Sequence, residues 1–256
     1  MMGLFKTWRR KRELRRSTLD PALWRQVTGD MPFLQGLTLE EWQRLHDCCV
    51  LFLAEKEMHG ARGFVPTDAV RLSIAVQACL PILNLGLDLY QGWVGIVIYP
   101  GEFRVRREEM DESGVVHEYD DELSGEAWPG GPVILSWQDI TLGEAGYNVV
   151  IHEFAHKLHM SRGDMDDFPP PLAHMPRDAW LDAWDAAYEK FCGQVDRGVQ
   201  TLIDPYASEE PAEFFAVLSE AFFTLPLVVR STYPELYGQL AQFYRQDPAA
   251  RQPAPA

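Results

Sequence analysis

The chain has 256 residues, 46% of them hydrophobic, and a formal net charge of −15. That length and apolar content provide for one substantial core or two small ones, and no apolar run reaches the roughly 20 residues of a membrane helix. Its first residues, "MMGLFKTWRRKRELRR", carry charge where a signal peptide would be apolar, so the sequence reads as cytoplasmic. Residues 1–16 hold seven basic residues against Glu13, which leaves the remainder more acidic than the whole. An acidic body repels phosphate backbones, which argues against nucleic acid as a partner of the main domain. Cys48, Cys49, Cys79 and Cys192 show no C-x-x-C spacing, so neither a disulfide framework nor a zinc knuckle is expected.

In chain order, residues 1–30 read as a basic, partly disordered arm. "TLEEWQRLHDCCVLFLAEKE" predicts a helix with Thr38 as N-cap and Glu41 completing a capping box. "PTDAVRLSIAVQACLPILNLG" predicts a buried helix that starts at Thr67 or Asp68 and bends or ends at Pro81. Beyond Gly92 the pattern turns to strands, "WVGIVIY", "FRVRREE", "VVHEYD" and "PVILSW", which predict a small, mostly antiparallel sheet over 93–137. Helices return at about 146–160, 178–196 and 208–224, with a short one near 233–245. A Pro- and Ala-rich end, 246–256, reads as a disordered tail. Helices, sheet, helices argue for one α+β domain, predominantly helical, with a helical layer over 31–90.

Three of the seven histidines lie in "IHEFAHKLHM". His152 and His156 are four apart, on one helical face, so both imidazoles can reach one ion. Glu153 follows the first histidine, where an H-E-x-x-H carboxylate takes a proton from water without occupying the metal. Chance gives on the order of 0.015 such matches in a chain of this composition. Without a third ligand, two partly exposed histidines on an ordinary helix would be the better reading.

A catalytic zinc needs that third ligand and an open position for water. The metzincin pattern is excluded, because Arg162 stands six residues beyond His156 and His159 stands where its glycine should be. His159 lies about 4.5 Å farther along the helix axis and reads as a neighbour of the site. A second helix, in "DPYASEEPAEFFAVLSEAFF", has Ser208 as a candidate cap and an acidic first turn. Glu213 and Glu220 are two turns apart and lean the same way as the apolar Phe214, Leu218 and Phe222. Carboxylates facing a core need a partner or a metal. Glu209 and Glu210 fit a water-facing helix edge better. Glu220 has two readings of equal weight: a surface carboxylate, or the partner that accepts the free N–H of a ligating histidine.

Together, "FLQGLTLEEWQRL", "RLSIAVQACLPILNLGLD", "VIYPGEF", "VVHEYDDELSGEAW", "GPVILSW", "HEFAHKL" and "EEPAEFFAVLSEAFF" resemble the MtfA zinc peptidases, named for the Mlc titration factor, from about Phe33 to Tyr244. The resemblance implies a gluzincin-type, zincin-like metallopeptidase domain over 31–245, its core similar to the catalytic domain of anthrax lethal factor and its active-site helices over 146–224. It implies His152, His156 and Glu213 as ligands of Zn²⁺, Glu153 as catalytic base, and Tyr206, seven residues before Glu213, as part of the catalytic pattern. On the residues alone, Tyr206 could equally be a packing residue. His159 departs from the acidic residue usual after "HKL" in the family, which touches the surroundings of the ligands and the pH range of activity.

The activity so implied is zinc-dependent peptide hydrolysis, aminopeptidase or endopeptidase. "VVHEYD" and "VILSW" suggest a sheet edge for an extended peptide, with Trp128 near and His117 as an ordinary strand residue. The family name brings a different class of function: a regulatory protein that binds, or merely sequesters, an Mlc-like transcriptional repressor of sugar-uptake genes.

Overall fold

The computed structural model describes residues 2–16, 19–110, 116–142, 146–161 and 168–252, with side chains outside 2–5, 105–122 and 142. Thr38 caps helix α3 (Leu39–Glu55): its hydroxyl accepts from Glu41 N–H while the Glu41 carboxylate accepts from Thr38 N–H. Two helices precede it, α1 (Met2–Arg16) and α2 (Pro21–Gly29). The segment read as a partly disordered arm is thus largely helical. Arg10 donates to Glu55 and Asp88, at 2.7 Å each, which ties α1 to the body. Strand β1 (Glu57–Gly60) takes Glu57, the last residue of the string read as helix, and α4 (Asp68–Cys79) follows with Thr67 as its cap.

The strands β2 (Gly95–Tyr99), β3 (Phe103–Met110), β4 (Val116–Leu123), β5 (Gly125–Ala127) and β6 (Val133–Ser136) complete the β region. The main sheet runs β1-β2-β6-β5, and β3 and β4 form a separate antiparallel ribbon. β1, β2 and β6 are mutually parallel, and β5 alone is antiparallel to β6. The sheet is therefore mixed, where the sequence suggested mostly antiparallel pairing. Helix α4 connects β1 to β2, and a strand–helix–strand crossover returns the chain in the same direction. β6 is internal and β4 belongs to the ribbon, so the outer strand of the sheet on this side is β5, not the segments expected to form the edge.

A short α5 (Trp137–Leu142) leads to α6 (Val149–Met160), followed by α7 (Arg177–Asp196), α8 (Pro211–Thr224), α9 (Pro226–Thr232), α10 (Pro234–Tyr244) and α11 (Pro248–Arg251). The last lies in the stretch read as a tail: Arg251 pairs with Glu41 at 2.9 Å, and the buried Gln246 amide donates to Leu80 O at 2.8 Å. Helix α8 starts at Pro211 with Glu210 at the cap, and Ser208 instead ends a 3-10 turn, Pro205–Ser208. Proline at the first helical position fixes that start, because its φ suits a helix and its missing N–H has no partner to lose there.

Helices α6 and α8 pack side by side in the core. Every residue of α8 from Phe214 to Phe223 is buried. Phe154 of α6 sits among Phe52, Tyr90 and Trp93, with ring centroids 5.0–5.7 Å away. Each such ring contributes roughly 1.5–3 kcal/mol through burial, so the spacing of α6 and α8 is set by aromatic packing on both sides. Cys48, Cys49 and Cys79 are buried free thiols, and Cys192 is half-buried and free. Among the described residues no single helix is long and apolar enough to cross a membrane; the bent pair α8 and α9 passes on composition, but α8 is core.

At the end of β1, a Cβ on Gly60 would fall 1.7 Å from Phe64 O, a backbone atom that cannot swing aside. Gly60→Ala is expected to lower the unfolding free energy by about 2 kcal/mol or more in a urea titration. A change within about 0.5 kcal/mol would contradict this packing.

Candidate metal centre

Helix α6 begins where Asn148 accepts from Ile151 N–H through its side-chain oxygen, at 2.9 Å. That cap sets the helical phase that turns His152, one turn on, toward α8. His156 follows on the same face, and the two Nε2 atoms are 3.1 Å apart. From α8, Glu213 brings Oε2 to 3.0 Å from His152 Nε2 and Oε1 to 3.3 Å from His156 Nε2. Among the described residues, His152, His156 and Glu213 are the group whose ligand atoms all lie within 4.8 Å of one another.

These separations can be tested against a metal. Bonds of about 2.0–2.1 Å at tetrahedral angles put ligand atoms about 3.3 Å apart, close to the 3.1 Å between the two Nε2 atoms and to the 3.0 and 3.3 Å at which separate Glu213 oxygens approach them. At 3.1 Å the two imidazole nitrogens can share one N–H···N hydrogen bond, and when both present lone pairs a cation between them removes the repulsion. Two imidazoles and a carboxylate suit a divalent transition metal.

The outer nitrogen of His152 has its own partner. Glu220, two turns along α8 and only 3% exposed, places Oε1 at 2.5 Å from His152 Nδ1. Its Oε2 accepts from Asn148 N–H at 2.7 Å, and the Asn148 side chain donates to Gln77 Oε1 at 2.8 Å. An Nδ1–H donated to Glu220 leaves the Nε2 lone pair facing the centre. The sequence reading missed Asn148 in this role. Its cap signal, a lone Asn before "VVI", was legible, but its backbone N–H meeting a residue 72 positions away was not.

Glu153 is 4% exposed, and its Oε2 has no hydrogen-bond partner among the described residues. A Cβ on Gly125 would lie 2.3 Å from Glu153 Oε1, so the carboxyl rests directly against the backbone of β5. Burial pushes Glu153 up to about 8; the charge of His152 opposes this, and Glu213 and Glu220 reinforce it. Burial also works against charge on Glu213, but hydrogen bonds from His152 and His156 outweigh it and hold that carboxyl well below its ordinary range. The reverse holds for His152: burial disfavours its charge, yet Glu220 and Glu213 raise it well above its usual value. In Glu220 burial outweighs the imidazole and the net direction is upward.

Tyr206, in the 3-10 turn before α8, is half-exposed, with its ring centroid 6.4 Å from that of His152. Burial of its hydroxyl and the nearby Glu213 raise its pKa. A cleft of about 740 Å³ is lined by His152, Glu153 and Glu220, by Gly125 of β5, and by Leu202, Asp204, Tyr206 and Glu209. Lys157, buried beside His156, donates to Trp128 O at 2.6 Å and Gly131 O at 2.8 Å, which pins the loop after β5 to α6. His159 packs against Phe215, with ring centroids 6.2 Å apart, and is not among the converging groups. The His117 side chain and Arg162 lie outside the described residues.

Comparison with known proteins agrees with this geometry. The chain is 37% identical over 234 residues to the Mlc titration factor A of Yersinia enterocolitica, covering 90% of this chain and 87% of that protein. It is 37% identical over 239 residues to the Mlc titration factor A of Cronobacter sakazakii, covering 92% and 90%. An uncharacterised protein of Synechocystis is 35% identical over 247 residues, covering 94% and 89%. The model of the glucose-regulated metallo-peptidase M90 family matches residues 5–245. The chain belongs to that metallo-peptidase family, alongside the Mlc titration factor A proteins.

Proposed function

We propose that the chain is a zinc-dependent peptidase in which His152, His156 and Glu213 hold the metal and Glu153 is the general base. The observation that carries this reading is a buried carboxyl with an unpartnered oxygen beside three converging ligand atoms, with His152 and Glu153 lining an open cleft. Zinc held there would act as a Lewis acid, polarising a peptide carbonyl and acidifying water. Glu153 takes the proton of the attacking water and returns it to the leaving amine. A carboxyl raised by burial shuttles protons well, because its affinity lies close to those of donor and acceptor near neutral pH. Tyr206 donates its hydroxyl to the developing oxyanion, and its half-exposed position leaves it room to swing toward the centre. Glu220 fixes the His152 tautomer. An extended peptide adds to the outer strand β5, with Gly125 allowing close approach. For an aminopeptidase form of the activity, Asp204 and Glu209 in the cleft wall are the candidate anchors of a substrate ammonium.

A regulatory role is supported by the name of the relatives, which speaks of titrating Mlc. In this reading the chain also binds an Mlc-like transcriptional repressor. Glu153→Gln separates the two functions: hydrolysis of a test peptide should fall at least about 100-fold while zinc content and repressor binding persist. A variant that keeps a tenth or more of the activity would remove Glu153 from the mechanism.

Metal analysis after reconstitution at neutral pH should give about one zinc per chain, and well under half that for Glu213→Ala. Equal zinc in both proteins would exclude Glu213 as a ligand. Glu220→Gln keeps the size of the side chain but weakens the hold on His152, so zinc affinity should fall about 10- to 100-fold in a chelator competition. Unchanged affinity would reduce Glu220 to a packing residue.

A further inference from the structure

Helix α1 has two unlike faces. On the inward one Lys6 donates to Asp88 at 2.8 Å, and Arg10 reaches Glu55 through Nε and Nη2 at 2.7 and 3.0 Å and Asp88 through Nη1 at 2.7 Å. From Lys6 onward the half-buried residues of the helix are Lys6, Arg10, Glu13 and Leu14. Spacings of three and four put them on one side, against α3. Apart from Thr7, the outward side is then Trp8, Arg9, Lys11, Arg12, Arg15 and Arg16, all exposed.

Those five cations have no acids to match them. Among the described residues none of the five is in an ion pair, whereas both inward cations are. Like charges three and four residues apart repel, so this face gains when a surface of opposite charge covers it. Trp8 chooses among such surfaces: it is 57% exposed, with the Arg12 guanidinium 5.6 Å from its ring centre. A tryptophan among arginines suits the headgroup layer of a membrane, where the ring enters the apolar boundary and the cations meet phosphates. A duplex groove takes a helix that projects from its protein, but α1 lies against the body, and a lipid surface needs only the free side. The acidic remainder of the chain opposes approach. At about 0.1 M salt, however, charges beyond about 10 Å are largely screened, and roughly that distance, one helix diameter, separates the outward face from the body.

We propose that α1 is a docking helix for an anionic lipid surface, with Lys11, Arg12 and Arg15 on the lipid phosphates and Trp8 at the headgroup boundary. Each such cation strengthens adsorption roughly fivefold, so several together give reversible binding without a membrane span. This surface is independent of the peptidase reading.

Co-sedimentation of the full chain with lipid vesicles in about 0.1 M salt tests the proposal. Vesicles of phosphatidylglycerol and phosphatidylcholine, about 3:7, should bind it at least about tenfold more tightly than phosphatidylcholine alone, and about 0.5 M salt should remove most of that preference. Arg12→Glu together with Arg15→Glu should weaken binding to the anionic vesicles at least about tenfold. Arg9→Glu together with Arg16→Glu should weaken it as well, and decides the matter if the first pair does not fold. Equal binding to both kinds of vesicle, or wild-type binding by the charge-reversed chain, would overturn the proposal. So would tighter binding, per phosphate, to a DNA duplex of about 20 base pairs, or salt-sensitive self-association of the chain in place of vesicle binding.

Discussion

Three carboxyl groups and two imidazoles share one buried volume between α6 and α8, and the rest of the structure is arranged around that concentration of charge. Glu153 and Glu220 are 4% and 3% exposed. Leaving an ionised carboxylate unpaired there would cost several kcal/mol, more than most single contacts in the core return. The five groups solve this in pairs. Glu220 and Glu213 grip the two nitrogens of His152, Glu213 also reaches His156, and Glu153 Oε2 has neither a hydrogen bond nor an imidazole contact among the described residues. Four groups can thus compensate one another or a bound cation, and the fifth is left available for a proton. In the proposed mechanism, the division between groups that position and the group that reacts follows from which contacts the packing permits.

That division depends on distance, and distance is set by aromatic residues that never touch the centre. Trp184 meets Phe214 and Phe215 of α8, and Phe52, Tyr90 and Trp93 enclose Phe154 of α6. Such packing tolerates little change of volume, so it holds the gap between the helices. The hydrogen-bond chain Gln77–Asn148–Glu220–His152 then sets rotation, since Asn148 caps α6 and also holds the carboxyl that orients its histidine. A shift of α4, which carries Gln77, would be felt at the imidazole.

Much of the centre was legible in the sequence because it obeys helical periodicity. A spacing of four brought His152 and His156 to one face, and a spacing of seven aligned Glu213 with Glu220. The pairing of those two faces rests on tertiary packing, and there the resemblance to a known family supplied what local pattern did not. The sheet was less legible. β1 has four residues and follows α3 without a glycine or proline break, and β5 is "GEA", too short for alternation to show. Parallel pairing was nevertheless implicit in the order strand, helix, strand around α4. The start of α8 lies at Pro211 and not at Ser208, because a proline at the first helical position specifies a start more strongly than the acidic turn before it. The helical order of α1 was hidden for another reason: its anchors, Glu55 and Asp88, lie 45 and 78 residues from Arg10.

Replacing the expected edge by β5 changes what the cleft can read. Had the longer strands formed its wall, side chains of both faces would have shaped a peptide's path. In β5 the wall beside Glu153 is Gly125, with no side chain at all, and any β-carbon there would meet the carboxyl. Backbone hydrogen bonds from such a strand grip every peptide alike, since each residue offers the same N–H and C=O. For a peptide bound as proposed, selectivity would come from cleft side chains, among them Leu202, Asp204, Tyr206 and Glu209 of the segment leading into α8. That segment is irregular and exposed, Leu202 at 72% and Tyr206 at 43%, whereas the groups that would bind metal and move protons sit on packed helices. Chemistry and recognition therefore occupy parts of the fold with different freedom to move, and contact with a partner on the recognition side could alter access to the cleft while the ligand spacing held between α6 and α8 stays as it is.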